Sequence, residues 1–178
     1  MKAAIKIVVL TLHLIIILSC DSNILKLSSH TDTETIDVLH QDIELKVDWI
    51  NKKLVGSTRL YIQPIIETDK IILNVEKMDI RNILDQNGNK LRYIVNDSLK
   101  SLEIILDNVY DQKDEISVLI EYETLHDNQS DPANIWGSFG NGVRYFEPTK
   151  TENERRKQLW AFGEPQSSRY WFPSRDIP

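Results

Sequence analysis

Hydrophobic and polar residues alternate along most of the chain from Ile36 onward. Ile43, Leu45 and Val47 alternate with charged residues, which is the pattern of a strand with one buried and one solvated face. The same period predicts further strands at residues 54–63, 70–75, 78–84, 91–95, 99–106, 115–122 and 158–162. No amphipathic helix pattern separates the earlier strands. This arrangement predicts an all-β fold, built as an antiparallel β-sandwich or a saddle-like sheet.

Turn signals add detail to this interpretation. Asn87 and Gly88 favour the positive backbone angles of a tight turn, so residues 78–84 and 91–95 are predicted to form a hairpin. Residues 125–145 contain three of the six glycines. We expect that stretch to be a long exposed loop.

The first twenty residues have the pattern of an export signal. Two lysines precede an apolar run over residues 7–18, which is short for a membrane span and suits the core of a signal peptide. The run ends at Cys20 in a stretch that resembles the bacterial lipoprotein cleavage box. We therefore expect a signal peptide at 1–19, lipidation of Cys20 and a flexible tether at 20–35, on the surface of a bacterial cell-envelope membrane. Ordinary cleavage beside an incidental cysteine is the alternative.

Composition and charge exclude several classes of function. The 178 residues include 21 basic and 27 acidic side chains, for a formal net charge of −6. Nucleic-acid partners select clustered lysine and arginine, so no nucleic-acid partner is expected. Cys20 is the single cysteine, which excludes an internal disulfide and a cysteine cluster for zinc.

The chain shows no catalytic or metal-binding motif. Its four histidines lie in different contexts, and none begins a His-Glu-x-x-His helix, the motif that places two zinc ligands and a glutamate base on one helical face. No Gly-x-Ser-x-Gly turn is present either. We therefore predict no catalytic residue, no metal site and no cofactor within this chain.

Two segments resemble the N-terminal domain of the aminopeptidase N family of zinc metallopeptidases, the gluzincins. The first comprises residues 37–48 with the Leu-Val-Gly sequence at 54–56, and is similar to the first hairpin of that family. The second comprises residues 159–164 and 169–178. It is similar to the family block in which Gly-Glu-Pro leads to an arginine and then to Phe-Pro-Cys-x-Asp-x-Pro. The resemblance implies that residues 36–178 form the β-domain of that family.

The resemblance also implies a role for Glu164. The matching acidic residue of the family reaches into the active site and pairs with the free α-amino group of the peptide substrate. A carboxylate in a partly dry cleft makes a charge-assisted hydrogen bond to an ammonium group and so selects chain ends. This sequence departs from the family at Ala161 and Phe162, where threonine and glutamine are usual, and at Ser174, where cysteine is usual.

The family domain continues beyond the point where this sequence stops. The expectation is therefore a truncated fragment, with a β-fold incomplete at its C-terminus and no catalytic domain, inactive by itself. Zinc would belong to the missing catalytic domain. The partners would be that catalytic domain, encoded with this chain or separately, the amino end of the peptide substrate, and the membrane. The aromatic run at 170–172 would be exposed. The alternative is a stand-alone β-sandwich surface lipoprotein that acts as a binding module.

Overall fold

The alternating residues form extended strands throughout the part of the chain that the structure describes. The computed structural model describes residues 35–125, 143–148, 150–151, 154, 156–161, 163 and 166–176. In chain order its elements are β1 (Ile36–Asp48), β2 (Lys53–Pro64), β3 (Thr68–Asn74), β4 (Met78–Leu84), β5 (Arg92–Asn96), β6 (Ser101–Tyr110), β7 (Ile116–Thr124), β8 (Val143–Phe146), β9 (Gln158–Ala161) and a 3-10 helix (Ser168–Tyr170). The predicted all-β fold is confirmed.

The first seven strands form two antiparallel sheets. Sheet A has the order β1-β2-β7-β4, and sheet B has the order β3-β6-β5. The chain therefore crosses to sheet B after β2, returns for β4, visits sheet B again for β5 and β6, and ends in sheet A with β7. Strands β8 and β9 pair with each other in a separate two-stranded sheet. The sheets are open, because the outer strands of each sheet lack a second neighbour among the described strands.

The hydrophobic core takes its side chains from one face of each sheet. In β7 every second residue from Ile116 to Thr124 is buried, whereas the intervening residues are half-buried. Burying an aliphatic or aromatic side chain of this size contributes about 1.5–3 kcal/mol, so the alternating pattern is the main source of stability. The fully buried core residues include Leu60, Ile62, Ile71, Leu73, Ile83, Leu102, Ile104, Val118, Ile120 and Tyr122.

Strand β1 is less buried than its sequence pattern predicts. Ile43 is 37% exposed, and Leu45 and Val47 are only half-buried. The reason is position: β1 is the outer strand of sheet A and pairs only with β2. Periodicity identifies the strand and its inward face, but it does not show how completely a neighbouring sheet covers that face.

The predicted hairpin between β4 and β5 forms only at its turn, where Leu84 and Lys90 make an isolated antiparallel bridge and the Leu91 backbone N–H donates to the Ile83 carbonyl oxygen at 2.9 Å. Strand β4 pairs with β7 in sheet A, and β5 pairs with β6 in sheet B, so the turn carries the chain from one sheet to the other. The turn chemistry itself is confirmed, since Gly88 has a φ of +83°. The Asp85 carboxylate accepts hydrogen bonds from the backbone N–H groups of Asn87 and Asn89. Hydrogen bonds, first of all from the Asn89 side chain, lower the pKa of Asp85.

The stretch predicted as one long loop contains strand β8. Residues 143–146 pair with β9, while residues 126–142 lie outside the described part of the chain. The predicted signal peptide at 1–19, Cys20 and all of the predicted tether before Thr35 also lie outside it. Among the described residues, no helix has the length and apolar character needed to cross a membrane.

Gly56 in β2 allows a close approach between β1 and β2. It pairs with Leu45, and a Cβ atom added at position 56 would overlap the carbonyl oxygen of Glu44. This overlap is with backbone, which cannot rotate away as a flexible side chain can. The glycine of the Leu-Val-Gly sequence is therefore required by the spacing of the two strands.

We expect Gly56→Ala to displace β1 and to lower the free energy of unfolding by about 1–3 kcal/mol, the usual cost of overpacking. Urea denaturation followed by tryptophan fluorescence measures this change. Ser57→Ala, at the next position of the same strand, is the matched control and should change stability by less than about 0.5 kcal/mol. Equal effects of the two substitutions would contradict the steric explanation.

Candidate functional site

The residues on both sides of Glu164 are held together by hydrogen bonds. Glu164 itself lies outside the described residues, but Gly163 before it and Ser167 after it are described. The Gly163 carbonyl oxygen accepts a hydrogen bond from the Ser167 backbone N–H at 3.2 Å and one from the Ser168 hydroxyl at 3.3 Å. Ser167 is 2% exposed. The two ends of the segment that contains Glu164 are therefore fixed to each other.

The chain that leads into this segment packs on the turn between β1 and β2. Trp49 of that turn meets Tyr145 of β8 edge to face, with ring centroids 5.7 Å apart. The Lys157 ammonium lies 5.3 Å from the centroid of the Trp49 ring, in the range of a cation–π interaction. Glu147 forms ion pairs with Lys157 at 3.2 Å and with Lys52 at 3.7 Å. These contacts attach the β8–β9 hairpin to the sandwich.

Aromatic residues cover both faces of the β8–β9 hairpin. Phe146 and Trp160 lie together with ring centroids 5.0 Å apart, and Trp160 is 53% exposed. Tyr145, on the other face, is partly buried. Burial raises the pKa of Tyr145 to about 12, and the Asp48 carboxylate acts in the same direction, so this phenol is neutral at physiological pH.

The chain that follows the segment, residues 167–176, docks on the sandwich. The predicted exposure of its aromatic run is wrong, because residues 170–172 are half-buried. Phe172 packs against the hydrophobic core and meets Trp171 edge to face at 4.4 Å. The β-domain itself therefore covers these aromatic side chains in part.

Hydrogen bonds from sheet A reach the backbone of the 167–176 segment. The buried Tyr122 hydroxyl donates to the carbonyl oxygen of Trp171 at 3.0 Å. The Gln41 side-chain amide donates to the carbonyl oxygen of Pro173 at 3.0 Å and to the Thr58 hydroxyl at 2.9 Å. The inner face of sheet A thus supplies donors to two carbonyl groups of the segment.

The end of β3 holds the same segment through a polar cluster. Asn74 and Ser174 exchange backbone hydrogen bonds at 2.7 and 3.0 Å. The Asn74 side-chain oxygen accepts from the Asp176 backbone N–H at 3.0 Å. The Asp176 carboxylate accepts from the Arg169 guanidinium and from the Ser174 hydroxyl, both at 2.6 Å. The Arg169 and Asp176 side chains are 12% and 7% exposed, so this is a buried ion pair with further hydrogen bonds.

The sequence indicated part of this arrangement. Arg169 and Asp176 belong to the block that suggested the family resemblance, whereas the contributions of Gln41, Asn74 and Tyr122 had no local signal. Within the described ranges, no three histidine, cysteine, aspartate or glutamate side chains converge on a possible metal position. Those residues therefore do not fit a zinc site. The contacts of the site hold residues 167–176 on a β-sheet scaffold.

Comparison with protein families gives a match over most of the chain. The family model of the peptidase M1 N-terminal domain matches residues 37–178. Comparison with curated proteins gives no significant match.

Similar solved structures include native leukotriene A4 hydrolase from Saccharomyces cerevisiae, with a TM-score of 0.61 and 18% identity, covering 83% of this chain and 22% of the other. An M1 zinc metallopeptidase mutant from Deinococcus radiodurans bound to Tyr-Ser-Ala has a TM-score of 0.59 and 17% identity, covering 81% of this chain and 30% of the other. This chain therefore spans less than a third of either protein. At these identities the similarity concerns the fold.

The Tyr122 hydroxyl gives the docked segment a testable pH dependence. Burial raises the pKa of Tyr122 above its ordinary value near 10. Its contribution to stability is therefore complete below about pH 10 and is lost as the pH rises toward the pKa of the folded state. We expect Tyr122→Phe to lower the free energy of unfolding by about 1–2 kcal/mol at pH 8, and to lose less stability than the wild type between pH 8 and pH 10.5.

Urea titrations at the two pH values measure both effects. Tyr93→Phe is the matched control at pH 8, because the Tyr93 hydroxyl also donates to a backbone carbonyl, that of Ile80 at 2.7 Å. If Tyr122→Phe loses as much stability as the wild type between pH 8 and pH 10.5, the pH dependence does not come from the Tyr122 hydroxyl.

Proposed function

Because the chain belongs to the peptidase M1 N-terminal domain family, we propose that it is the amino-end-recognising module of an exported zinc aminopeptidase. Such an enzyme removes N-terminal amino acids from peptides. The family match over residues 37–178 confirms the resemblance read from the sequence. In this proposal Glu164 is the substrate-binding residue, and its carboxylate pairs with the free α-amino group of the peptide.

The chemistry of the pair explains selection for chain ends. A hydrogen bond between two charged groups contributes about 1.5–3 kcal/mol. A blocked peptide, such as one with an acetylated amine, offers no ammonium group and leaves the carboxylate desolvated without a partner. One fixed carboxylate therefore distinguishes a peptide end from an internal peptide bond.

The hydrogen bonds between the residues that flank Glu164 are the observation that most directly supports this proposal. The Gly163 carbonyl accepts hydrogen bonds from both Ser167 and Ser168, and the following residues are docked on the sandwich. A recognition group must be held close to its productive position, since a shift of about 1 Å can reduce the rate by about 100-fold. The contacts that join Gly163 to Ser167 and Ser168 are consistent with that requirement.

Zinc and the hydrolytic reaction belong, in this proposal, to a catalytic domain. The described residues offer no group of ligands that could hold a metal ion. The Deinococcus radiodurans neighbour is a zinc metallopeptidase. The catalytic domain would lie on the same polypeptide or on a separate one, and the module alone would not hydrolyse peptides.

The predicted export signal at residues 1–20 supports a position at a membrane surface. We propose that residues 1–19 are removed, that Cys20 receives a lipid, and that residues 20–35 link the anchor to the β-domain. The protein would then act in the bacterial cell envelope, on the periplasmic or the outer face.

We expect Glu164→Gln to lower kcat/KM by about 10- to 100-fold through a higher KM, because the substrate ammonium loses its charged partner. The protein is purified from its native host with an affinity tag inserted between residues 21 and 35, so that an attached catalytic domain is recovered with it. Hydrolysis of a panel of aminoacyl p-nitroanilides measures kcat and KM.

Glu154→Gln is the matched control for this substitution. Glu154 is an exposed glutamate in the same part of the chain, so its loss should leave kcat and KM unchanged. An unchanged KM in Glu164→Gln would contradict the recognition role. If the purified protein has no aminopeptidase activity that a chelator removes, the stand-alone binding-module hypothesis is favoured instead.

Cys20→Ser should abolish lipid attachment, since the serine hydroxyl cannot replace the thiol. Metabolic labelling with an alkyne fatty acid and fractionation of the membranes measure this effect. We expect wild-type protein to be labelled and to sediment with the membranes, and the variant to be unlabelled. Equal labelling of both proteins would show that the cysteine is incidental.

A further inference from the structure

The β8–β9 hairpin presents one face to the sandwich and the opposite face to solvent. On the inner face, Tyr145 packs on Trp49 of the β1–β2 turn. Arg144 and Trp160 are paired directly across the two strands, so both lie on the outer face, together with Phe146. The Phe146 and Trp160 ring centroids are 5.0 Å apart, and Trp160 is 53% exposed. The outer face of the hairpin therefore presents an aromatic pair.

An exposed aliphatic side chain lies at the same end of the domain. Ile50 follows Trp49 in the β1–β2 turn and is 91% exposed, more than any other large hydrophobic residue in the described part of the chain. The Asp48 carboxylate accepts hydrogen bonds from the backbone N–H groups of Ile50 and Asn51, both at 3.0 Å. Ile50 is thus held in solvent by an ordered turn. Exposed apolar side chains that occur together mark an interaction surface.

The hairpin is basic, although the protein is acidic. Residues 143–161 contain five basic and three acidic side chains, whereas the whole chain has a formal net charge of −6. Lys150, Arg156 and Lys157 are exposed. The Glu147 carboxylate is shared between Lys157 at 3.2 Å and Lys52 at 3.7 Å. An excess of positive charge therefore accompanies the exposed aromatic pair.

This combination fits an anionic bilayer better than a protein surface. Tryptophan rings concentrate at the headgroup level of membranes, and anionic lipids attract nearby lysine and arginine side chains. Lysine is depleted in the interfaces between proteins. Because the rest of the surface is acidic, an anionic bilayer repels it, and the basic face is the one that can approach.

We propose that the outer face of the β8–β9 hairpin, together with Ile50, binds an anionic lipid surface. The Trp160 ring enters the headgroup layer, and Lys150 and Arg156 contact the lipid phosphates. This contact is made by the β-domain itself. It requires neither the recognition role of Glu164 nor the lipidation of Cys20.

Quenching of tryptophan emission by brominated phospholipids tests the proposal on the full chain. Residues 1–35 contain no tryptophan, so an anchor in that region gives no signal. We expect quenching on vesicles of phosphatidylcholine with phosphatidylglycerol, and loss of most of it in Trp160→Phe. Trp171→Phe is the matched control, because it removes a half-buried tryptophan of the docked 167–176 segment, and it should retain the quenching.

The basic residues are tested separately by Lys150→Gln combined with Arg156→Gln. We expect this variant to be quenched no more than the wild type on phosphatidylcholine alone, and added salt should have the same effect by screening the attraction. Lys70→Gln combined with Arg92→Gln is the matched control. These two exposed residues flank Ile105 in sheet B, so the net charge changes equally while the hairpin is untouched.

Equal quenching of the wild type and Trp160→Phe would overturn the proposal. An equal loss in the two charge variants would also overturn it, because net charge alone would then control the approach to the bilayer. Absence of quenching on the anionic vesicles would overturn it and favour a protein partner for this face. Both charge variants keep all four tryptophans, so they remain decisive if Trp160→Phe disturbs the hairpin.

Discussion

The buried phenol of Tyr122 imposes the constraint on which the docking of residues 167–176 depends. A buried hydroxyl without an acceptor costs about 1–3 kcal/mol, and the carbonyl of Trp171 supplies that acceptor. The same requirement applies at the end of β3, where the backbone groups of Asn74 pair with Ser174. Because these donors and acceptors belong to the sheets themselves, the sandwich satisfies its polar groups only when the segment is in place.

Period-two alternation predicted the strands well because it is a local consequence of having one buried face. It placed β2 to β7 within a few residues of their observed bounds. It failed where the outcome depends on distant partners. Asn87 and Gly88 correctly marked a turn, but the turn joins different sheets because β4 finds its partner in β7. Likewise, the exposure of Ile43 follows from the outer position of β1, which its own sequence does not encode.

The residues of the candidate site also fall into two groups, those that the local sequence marks and those that only distant contacts bring in. Arg169 and Asp176 lie seven residues apart in the block that carries the family resemblance, but the sequence analysis did not predict their ion pair. Asn74 is 102 positions away from Asp176, and nothing in its surroundings marks it as a partner. The expected exposure of the aromatic run also failed, because the apolar core that covers Phe172 is assembled from strands far away in the sequence. The family resemblance singled out this block, and only the tertiary fold shows what holds residues 167–176.

A recognition carboxylate and a hydrolytic centre make different demands on a protein. The reaction needs groups whose protonation and coordination change during turnover, whereas amine recognition needs one charge kept at a constant position. A β-sandwich suits the second demand, because its core resists small displacements and its strand ends supply fixed backbone donors such as that of Glu76. Under the proposed function, stability and recognition would share these contacts. Loosening the ion pair of Arg169 and Asp176 would weaken the attachment of residues 167–176 to the end of β3.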